Sequence, residues 1–168
     1  MGDSSSSWHE VIEKGAFDSV LLNDVRCLQD HDSSRILGRS KAGKGSLKIG
    51  VDAVGLWYEF EAPETTVGND LLVSLKRGDI TGSSFSFIIE RDSWKQEGSV
   101  LVRTIHKIKT LLDVGPVSFP AYPSTDGLSA RSKTNGTEHP SVSVRRLHLE
   151  ALQRTGDALN SQINSLKP

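Results

Sequence analysis

Two adjacent serines, Ser83 and Ser84, precede an alternating run of phenylalanine and isoleucine in the segment TGSSFSFIIE. Such alternation predicts a β-strand, in which successive side chains lie on opposite faces. Phe85 and Phe87 share a face with Ser83, and we expect that face to pack inward. Ser84 lies on the opposite face, where a cleft can reach it. If one of the two serines is a nucleophile, the pattern favours Ser84; the alternative is a turn or strand serine without chemistry.

A serine hydroxyl becomes nucleophilic only with a general base within hydrogen-bond reach, and the chain has five histidines. Three lie in a predicted helix, a predicted linker and the charged tail, which are unsuitable places for a shaped site: His9, His139 and His148. His106 has the cationic neighbours Arg103 and Lys107, which disfavour an imidazolium. His31 closes an apolar run in the polar stretch QDHDSSR, where a strand end presents side chains to a cleft. The pattern therefore ranks His31 first.

A carboxylate that orients the histidine is harder to choose. Asp32 adjoins His31, but neighbouring side chains on a strand lie on opposite faces. Asp113 is a lone carboxylate in the apolar run TLLDVGPV, and a buried carboxylate is costly unless it is paired or hydrogen-bonded. Orientation of a catalytic histidine would explain Asp113, and capping of a turn before Gly115 would explain it equally well.

Composition narrows the functional class. The chain has 168 residues, enough for one domain with a sizeable core, and a net charge of −1, which gives no field that would attract nucleic acid or an anionic membrane. Cys27 is the only cysteine, so an intrachain disulfide is impossible and a reducing compartment is expected. No run approaches 18 apolar residues. We expect a soluble intracellular protein that binds neither nucleic acid nor membrane.

Familiar phosphate-binding, metalloprotease and hydrolase motifs are absent from the sequence. The sequence has no phosphate-binding glycine loop, no HExxH and no GxSxG. The triplet Asp30-His31-Asp32 is a weak metal-binding candidate without a second ligand cluster. We therefore expect no cofactor and no metal, and keep a small metal-binding barrel as a third-ranked alternative.

The secondary-structure pattern is mainly β. SWHEVIEKGAF resembles a short helix with Ser7 as N-cap and Gly15 as its end, and short strands separated by glycine-rich turns fill residues 35–61. A second helix is predicted in TTVGNDLLVSLKRGD, with Thr65 or Thr66 as cap and Gly78 as terminator. Strands follow at 83–90, 100–109 and 111–119, with residues 94–98 as a hairpin connection.

The chain divides into four predicted parts. Residues 1–7 form a disordered N-terminus, 8–122 the compact domain, and 123–143 a flexible linker rich in Ser, Thr, Gly and Pro. Residues 144–168 form an amphipathic helix or a tail.

Three blocks, EVIEKGAF at 10–17, DVRCLQDHD…SSFSF at 24–87 and RTIHKIKTLLDVGPVSFPAYPST at 103–125, occur in a characteristic order. Together they resemble the prohead proteases of tailed bacteriophages, which are serine peptidases of capsid maturation related in fold to herpesvirus assemblin. The resemblance implies a small antiparallel β-barrel of the herpesvirus-protease type, with surrounding helices. It places the family's catalytic histidine, serine and acidic residue on His31, Ser84 and Asp113.

The chain departs from the family pattern near these residues. Asp30 stands where asparagine is usual, which adds negative charge beside His31 and is expected to raise its pKa. Ser86 replaces a common glycine, and Gly115 replaces a frequent serine that can hydrogen-bond the acidic residue. The family's first strand, ahead of residue 10, is missing or replaced, which predicts an exposed edge or oligomerisation.

The resemblance implies an endopeptidase that processes scaffold and major capsid proteins inside an assembling prohead in the host cytoplasm, with self-cleavage in the linker. Backbone N–H groups or an arginine, with Arg103 as the candidate, would stabilise the oxyanion. The alternative from another class is a catalytically silent scaffold or packing protein that retains the protease fold.

Overall fold

The computed structural model describes residues 8–53 and 55–120, together with the backbone of three later strands. Within this part of the chain there are eleven strands and one helix. The elements in chain order are β1 Trp8–Ile12, β2 Val25–Leu28, β3 Ile36–Lys41, β4 Lys44–Gly45, β5 Leu47–Val51, β6 Leu56–Glu61, α1 Thr66–Arg77, β7 Gly82–Glu97, β8 Val100–Val117, β9 Leu128–Arg131, β10 Ser141–Val144 and β11 Leu152–Arg154.

The strands form two sheets, and the long strand β8 organises the larger one. The seven-stranded sheet has the order β11-β1-β8-β2-β3-β4, with β7 paired to β8 as well. On one edge β8 pairs antiparallel with β7 along nearly its full length, and on the other it pairs parallel with β1 and then with β2. The second sheet has the order β5-β6-β10-β9. Because β2 and β7 flank β8 near its C-terminal end, both present their side chains beside Asp113.

The mainly β fold class is confirmed. The predicted closed barrel is not seen among the described strands, since no ladder joins the two sheets, and it stays a prediction. The larger sheet also differs from a purely antiparallel barrel, because β1 and β2 both run parallel to β8.

The core lies where β6, the core-facing side chains of β8 and helix α1 meet. It includes the fully buried Tyr58, Ile105, Ile108, Leu111 and Leu71. Phe85 of β7 packs edge-on against Phe17, with ring centroids 5.5 Å apart, and stacks on Phe87 at 5.3 Å. The Phe face of β7 therefore points inward, as the alternation predicts.

Helix α1 forms where the sequence predicts it. The Thr65 side chain accepts a hydrogen bond of 3.2 Å from the backbone N–H of Gly68, which satisfies one of the free donors at the helix start. Gly78 ends the helix with a left-handed φ of 81°, a conformation that glycine adopts without steric cost. Leu71 is fully buried and anchors the helix on the core.

The helix predicted at SWHEVIEKGAF is wrong. Residues 8–12 form strand β1, in which Glu10 and Ile12 are buried while their neighbours are only partly buried. Tertiary pairing overrides the local capping signal, because β1 lies beside β8 with Glu10 opposite Arg103. Arg103 Nη1 lies 3.2 Å from Glu10 Oε2, and Trp8 packs against Trp94 with ring centroids 5.9 Å apart. Strand β1 overlaps the start of the EVIEKGAF block, and the family strand expected ahead of that block falls mainly on residues 1–7, which lie outside the described residues.

Two further boundaries differ. The strands expected at 100–109 and 111–119 are one continuous strand, and the hairpin turn lies at Gly98 and Ser99 rather than over 94–98. The register between β7 and β8 shifts at several points along the ladder, as it does where one strand carries an additional residue opposite its partner.

Short strands also lie beyond residue 122. Leu128–Arg131 lies within the predicted linker and pairs with Ser141–Val144, which runs from the end of the linker to the first residue of the next segment. Leu152–Arg154 is a strand within the segment predicted as an amphipathic helix or a tail. The remainder of both segments and the predicted disordered residues 1–7 lie outside the described residues. The division into four parts stays a prediction.

Candidate active site

His31 and Asp113 are in direct contact although 82 residues separate them in the chain. The Nδ1 atom of His31 lies 2.5 Å from Oδ1 of Asp113. Asp113 belongs to β8 and is 7% exposed, whereas the His31 side chain keeps about 38% of its exposure. The pair therefore combines a sheltered carboxylate with an imidazole that solvent or a substrate can reach.

A tight turn after β2 brings His31 over Asp113. Asp30 and His31 both have left-handed φ angles, 54° and 57°, which aspartate tolerates better than most residues. The turn is fastened to the end of β8 by two hydrogen bonds. The Asp30 N–H donates to the Pro116 carbonyl at 3.0 Å, and the Ser118 N–H donates to Asp30 Oδ1 at 2.7 Å.

Ser84 lies on the same face of the sheet as Asp113. In the β7–β8 ladder Ser84 pairs with Gly115, and Ser86 pairs with Asp113. Directly opposed residues of an antiparallel pair present their side chains on one face, and diagonal neighbours are about 7–8 Å apart. Ser84 is 4% exposed, and its hydroxyl makes no hydrogen bond to another described residue. Ser84 and the carboxylate that contacts His31 are therefore diagonal neighbours on one face of the sheet.

Ser83 has a different role. It is fully buried and donates to the Gly115 carbonyl at 3.1 Å, while its Oγ lies 2.7 Å from the Tyr58 hydroxyl. Because the single Ser83 proton goes to the carbonyl, Tyr58 is the donor in the second bond. Burial raises the pKa of Tyr58 well above its ordinary value, so the phenol keeps that proton. Ser83 therefore ties β7 to β6 and to β8, a contact that the sequence does not reveal.

The match to known families decides the class of the protein. The family model described as Caudovirus prohead serine protease matches residues 2–139, which is most of the chain. The chain belongs to the caudovirus prohead serine protease family. No curated protein and no solved structure matches it. It is thus a serine peptidase with a role in capsid maturation.

Electrostatics around the protease's His31 favour its charged form. The hydrogen bond to Asp113 is the main cause that raises the pKa of His31 above 6.5, and the negative charges of Asp113 and Asp30 act in the same direction. The sequence-based expectation for Asp30 is confirmed. Partial burial opposes these effects but does not cancel them.

Arg103 does not reach this part of the protease. It is ten positions before Asp113 on β8, a separation of roughly 30 Å at the usual rise of an extended strand. Its guanidinium binds Asp92 at 2.7 Å and Glu10 at 3.2 Å and lies 5.3 Å from the Trp94 ring centroid. The suggestion that Arg103 stabilises the oxyanion is therefore wrong.

The three side chains of the Asp30-His31-Asp32 triplet contact different residues. Asp30 Oδ1 accepts from Ser118, His31 contacts Asp113, and Asp32 Oδ1 accepts from Ser34. The part of the chain that the structure describes has no group of three His, Cys, Asp or Glu side chains arranged to hold a metal ion. No helix in that part has the length and apolar character needed to cross a membrane.

Position 115 requires glycine because strands β2 and β8 approach each other closely there. A Cβ atom at this position would lie 1.7 Å from the Leu28 carbonyl oxygen of β2. A serine, which is frequent in the family, would meet the same backbone atom. The approach of β2 to β8 at this point carries the His31 turn toward Asp113, so the glycine supports the site indirectly.

Replacement of Gly115 by alanine is expected to destabilise the protease by about 3 kcal/mol, because backbone must move to relieve the overlap. Urea unfolding followed by circular dichroism measures the loss. Gly38→Ala is the matched control: Gly38 is also a buried strand glycine, but its Cβ would meet neighbours at an ordinary 3.5 Å. Equal stability losses in the two variants would contradict the argument.

Proposed function

We propose that Ser84, His31 and Asp113 form the catalytic triad of this prohead protease. The observation that carries the proposal is the contact between His31 Nδ1 and Asp113 Oδ1, which leaves Nε2 of the same ring for the serine. An Asp–His contact of this kind fixes the tautomer with the proton on Nδ1 and leaves Nε2 able to accept a proton.

In the proposed reaction His31 Nε2 takes the Ser84 hydroxyl proton while Oγ attacks the carbonyl carbon of the scissile peptide bond. Asp113 stabilises the imidazolium that results. His31 then gives the proton to the leaving amine, the C–N bond breaks, and an acyl-enzyme remains on Ser84. A water molecule activated by the same histidine hydrolyses the ester and restores the serine.

The unengaged Ser84 hydroxyl is compatible with this assignment. Hydrogen bonds between catalytic groups are often long or poorly aligned in free enzymes and tighten when substrate binds. The diagonal placement of Ser84 and Asp113 on one face of the sheet supports the assignment, because His31 contacts Asp113. Ser83 is a poorer candidate because both its donor and its acceptor capacity serve the fold.

We further propose that the substrates are the scaffold and major capsid proteins inside the assembling prohead in the host cytoplasm, and that the chain cleaves itself between residues 123 and 143. The support for these substrates is the family to which the chain belongs. The support for self-cleavage is the polar, Gly- and Pro-containing composition of that segment, since such segments are preferred sites of proteolysis.

Active-site labelling tests the assignment of the nucleophile. A fluorophosphonate is expected to modify Ser84 in the full-length protein, and mass spectrometry of the digested adduct identifies the modified serine. Ser84→Ala is expected to lose that adduct together with processing of capsid protein.

Ser84→Cys is a second variant with a smaller change in packing. It should react with a thiol-directed reagent at residue 84, provided that melting shows an intact fold. An unmodified Ser84 in a wild-type protein that is processing capsid protein would contradict the proposal. A wild-type protein that is neither labelled nor able to process capsid protein would instead favour a catalytically silent scaffold protein.

A further inference from the structure

A second serine–histidine–carboxylate arrangement lies on the β7–β8 hairpin. Ser93 Oγ is 2.7 Å from His106 Nε2, and His106 Nδ1 is 2.7 Å from Glu13 Oε2. A carboxylate oxygen accepts hydrogen bonds, so the Nδ1 atom of His106 carries the ring proton and Nε2 accepts from the Ser93 hydroxyl. The polarity is that of a serine with its general base and an orienting carboxylate.

Three elements hold this relay together. Glu13 follows β1 and is fixed by a backbone hydrogen bond of 2.9 Å to the Ile105 carbonyl, next to His106. Ser93 pairs with Thr104 in the β7–β8 ladder, and His106 is the next residue of β8 on the same face. The His106 side chain is 22% exposed, and Ser93 is exposed, so the hydroxyl is open to solvent while the base is partly sheltered.

The relay is distinct from the site around Ser84. Ser93 and Ser84 are nine positions apart on the same extended strand, which corresponds to roughly 30 Å. Its face is also separate from the cluster of Arg103, Asp92 and Glu10, whose side chains accompany the buried Ile105. Neither site shares a residue with the other.

We propose that Ser93 is a second acylatable serine, activated by His106 and Glu13, that reacts with small activated esters. The Ser93 proton moves to His106 Nε2 while Oγ attacks the carbonyl carbon of the ester. The bond between that carbon and the leaving alkoxide breaks, and the proton passes from His106 to the alkoxide or to solvent. Acetyl-Ser93 remains and is hydrolysed by water. Thr104 is the strand position opposite Ser93, and its hydroxyl would be the donor to the developing oxyanion.

The substrate class follows from exposure. Ser93 is exposed and 53% of the Glu13 side chain is exposed, so the hydroxyl is accessible but not walled by apolar side chains. Binding energy from remote parts of a substrate is therefore small, and reactivity must come from the leaving group. Aryl esters with good leaving groups fit this requirement, whereas unactivated peptide bonds do not.

The test is acetylation of the full-length protein by p-nitrophenyl acetate, with adducts located by mass spectrometry. Trypsin cleavage after Arg91 and Lys95 places Ser84, Ser93 and Ser99 on three different peptides, so each serine is followed separately. In a Ser84→Ala background we expect Ser93 to acetylate at least tenfold faster than Ser99, an exposed hairpin serine, because only Ser93 has the base. His106→Asn is expected to slow acetylation of Ser93 by about 100-fold, the usual contribution of a general base.

Glu13→Gln should slow the same adduct less, and Ser99→Ala should leave it unchanged, with melting temperatures reported for every variant. Acetylation of Ser93 at the rate of Ser99, or a rate that His106→Asn leaves unchanged, would overturn the proposal and leave the relay as a structural tie between β1, β7 and β8. Either outcome is independent of Ser84, whose adduct is read on its own peptide in the wild-type protein.

Discussion

His31→Asn is expected to lower kcat for cleavage of a peptide substrate by a factor on the order of 10⁶, without loss of fold. The variant removes the group that we propose as the general base for Ser84. Asparagine is chosen because residue 31 has a φ of 57°, and asparagine tolerates this left-handed conformation better than alanine does. The turn, and with it the hydrogen bonds of Asp30 to Pro116 and Ser118, should therefore persist. Steady-state kinetics with melting curves for both proteins provide the measurement.

Combination with Ser84→Ala sharpens this expectation. In the proposed mechanism Ser84 and His31 act as one unit, so the double variant should be no slower than either single variant, apart from activity that the two residues do not supply. If the loss of kcat in the double variant equals the product of the two single losses, His31 and Ser84 act in separate steps. Retention of more than a tenth of the wild-type kcat in His31→Asn would remove His31 from the mechanism.

Asp113→Asn is expected to lower kcat by a factor on the order of 10⁴, because the amide can hold the wrong histidine tautomer and no longer stabilises the imidazolium. It should also change the pH profile. The hydrogen bond to Asp113 is the largest cause of the raised pKa of His31, and the histidine acts as a base only when it is neutral. In the wild type the acid limb of kcat/KM therefore lies above pH 6.5, and in Asp113→Asn it moves to lower pH.

Asp30→Asn is the matched control for the pH effect. Asp30 raises the pKa of His31 through its charge alone and is the smallest of the causes, so the acid limb should move in the same direction but less. The asparagine side-chain oxygen can keep the hydrogen bond from the Ser118 N–H. An acid limb that stays in place in Asp113→Asn, measured with the residual activity, would show that the limb belongs to another group.

The sequence predicts secondary structure well where interactions within a few residues determine the conformation. Helix α1 follows from its cap, its apolar spacing and its terminal glycine, and each of these signals acts within a few residues. The inward Phe face of β7 follows from strict alternation. Strand β1 could not be predicted in this way, because its conformation depends on pairing with residues more than 90 positions later.

The contacts of His106 also could not be predicted from the sequence alone. Its cationic sequence neighbours make it a poor base by pattern, yet neighbours on a strand lie on alternate faces. Lys107 pairs with Glu90, and Arg103 with Asp92 and Glu10, whereas His106 meets Ser93 and Glu13. Only the strand register shows which of these charges the imidazole contacts.

By itself, the sequence determined the mainly β class, the helix between residues 66 and 77, the family, and a short list of candidate residues in which Ser84 outranks Ser83. Tertiary structure decided how those residues meet. Asp113 was equally compatible with a turn cap and with a partner for His31, and the approach of β2 to β8 at Gly115 places the His31 turn on the carboxylate. Contacts between residues 82 positions apart depend on register and chain crossing, which no local pattern encodes.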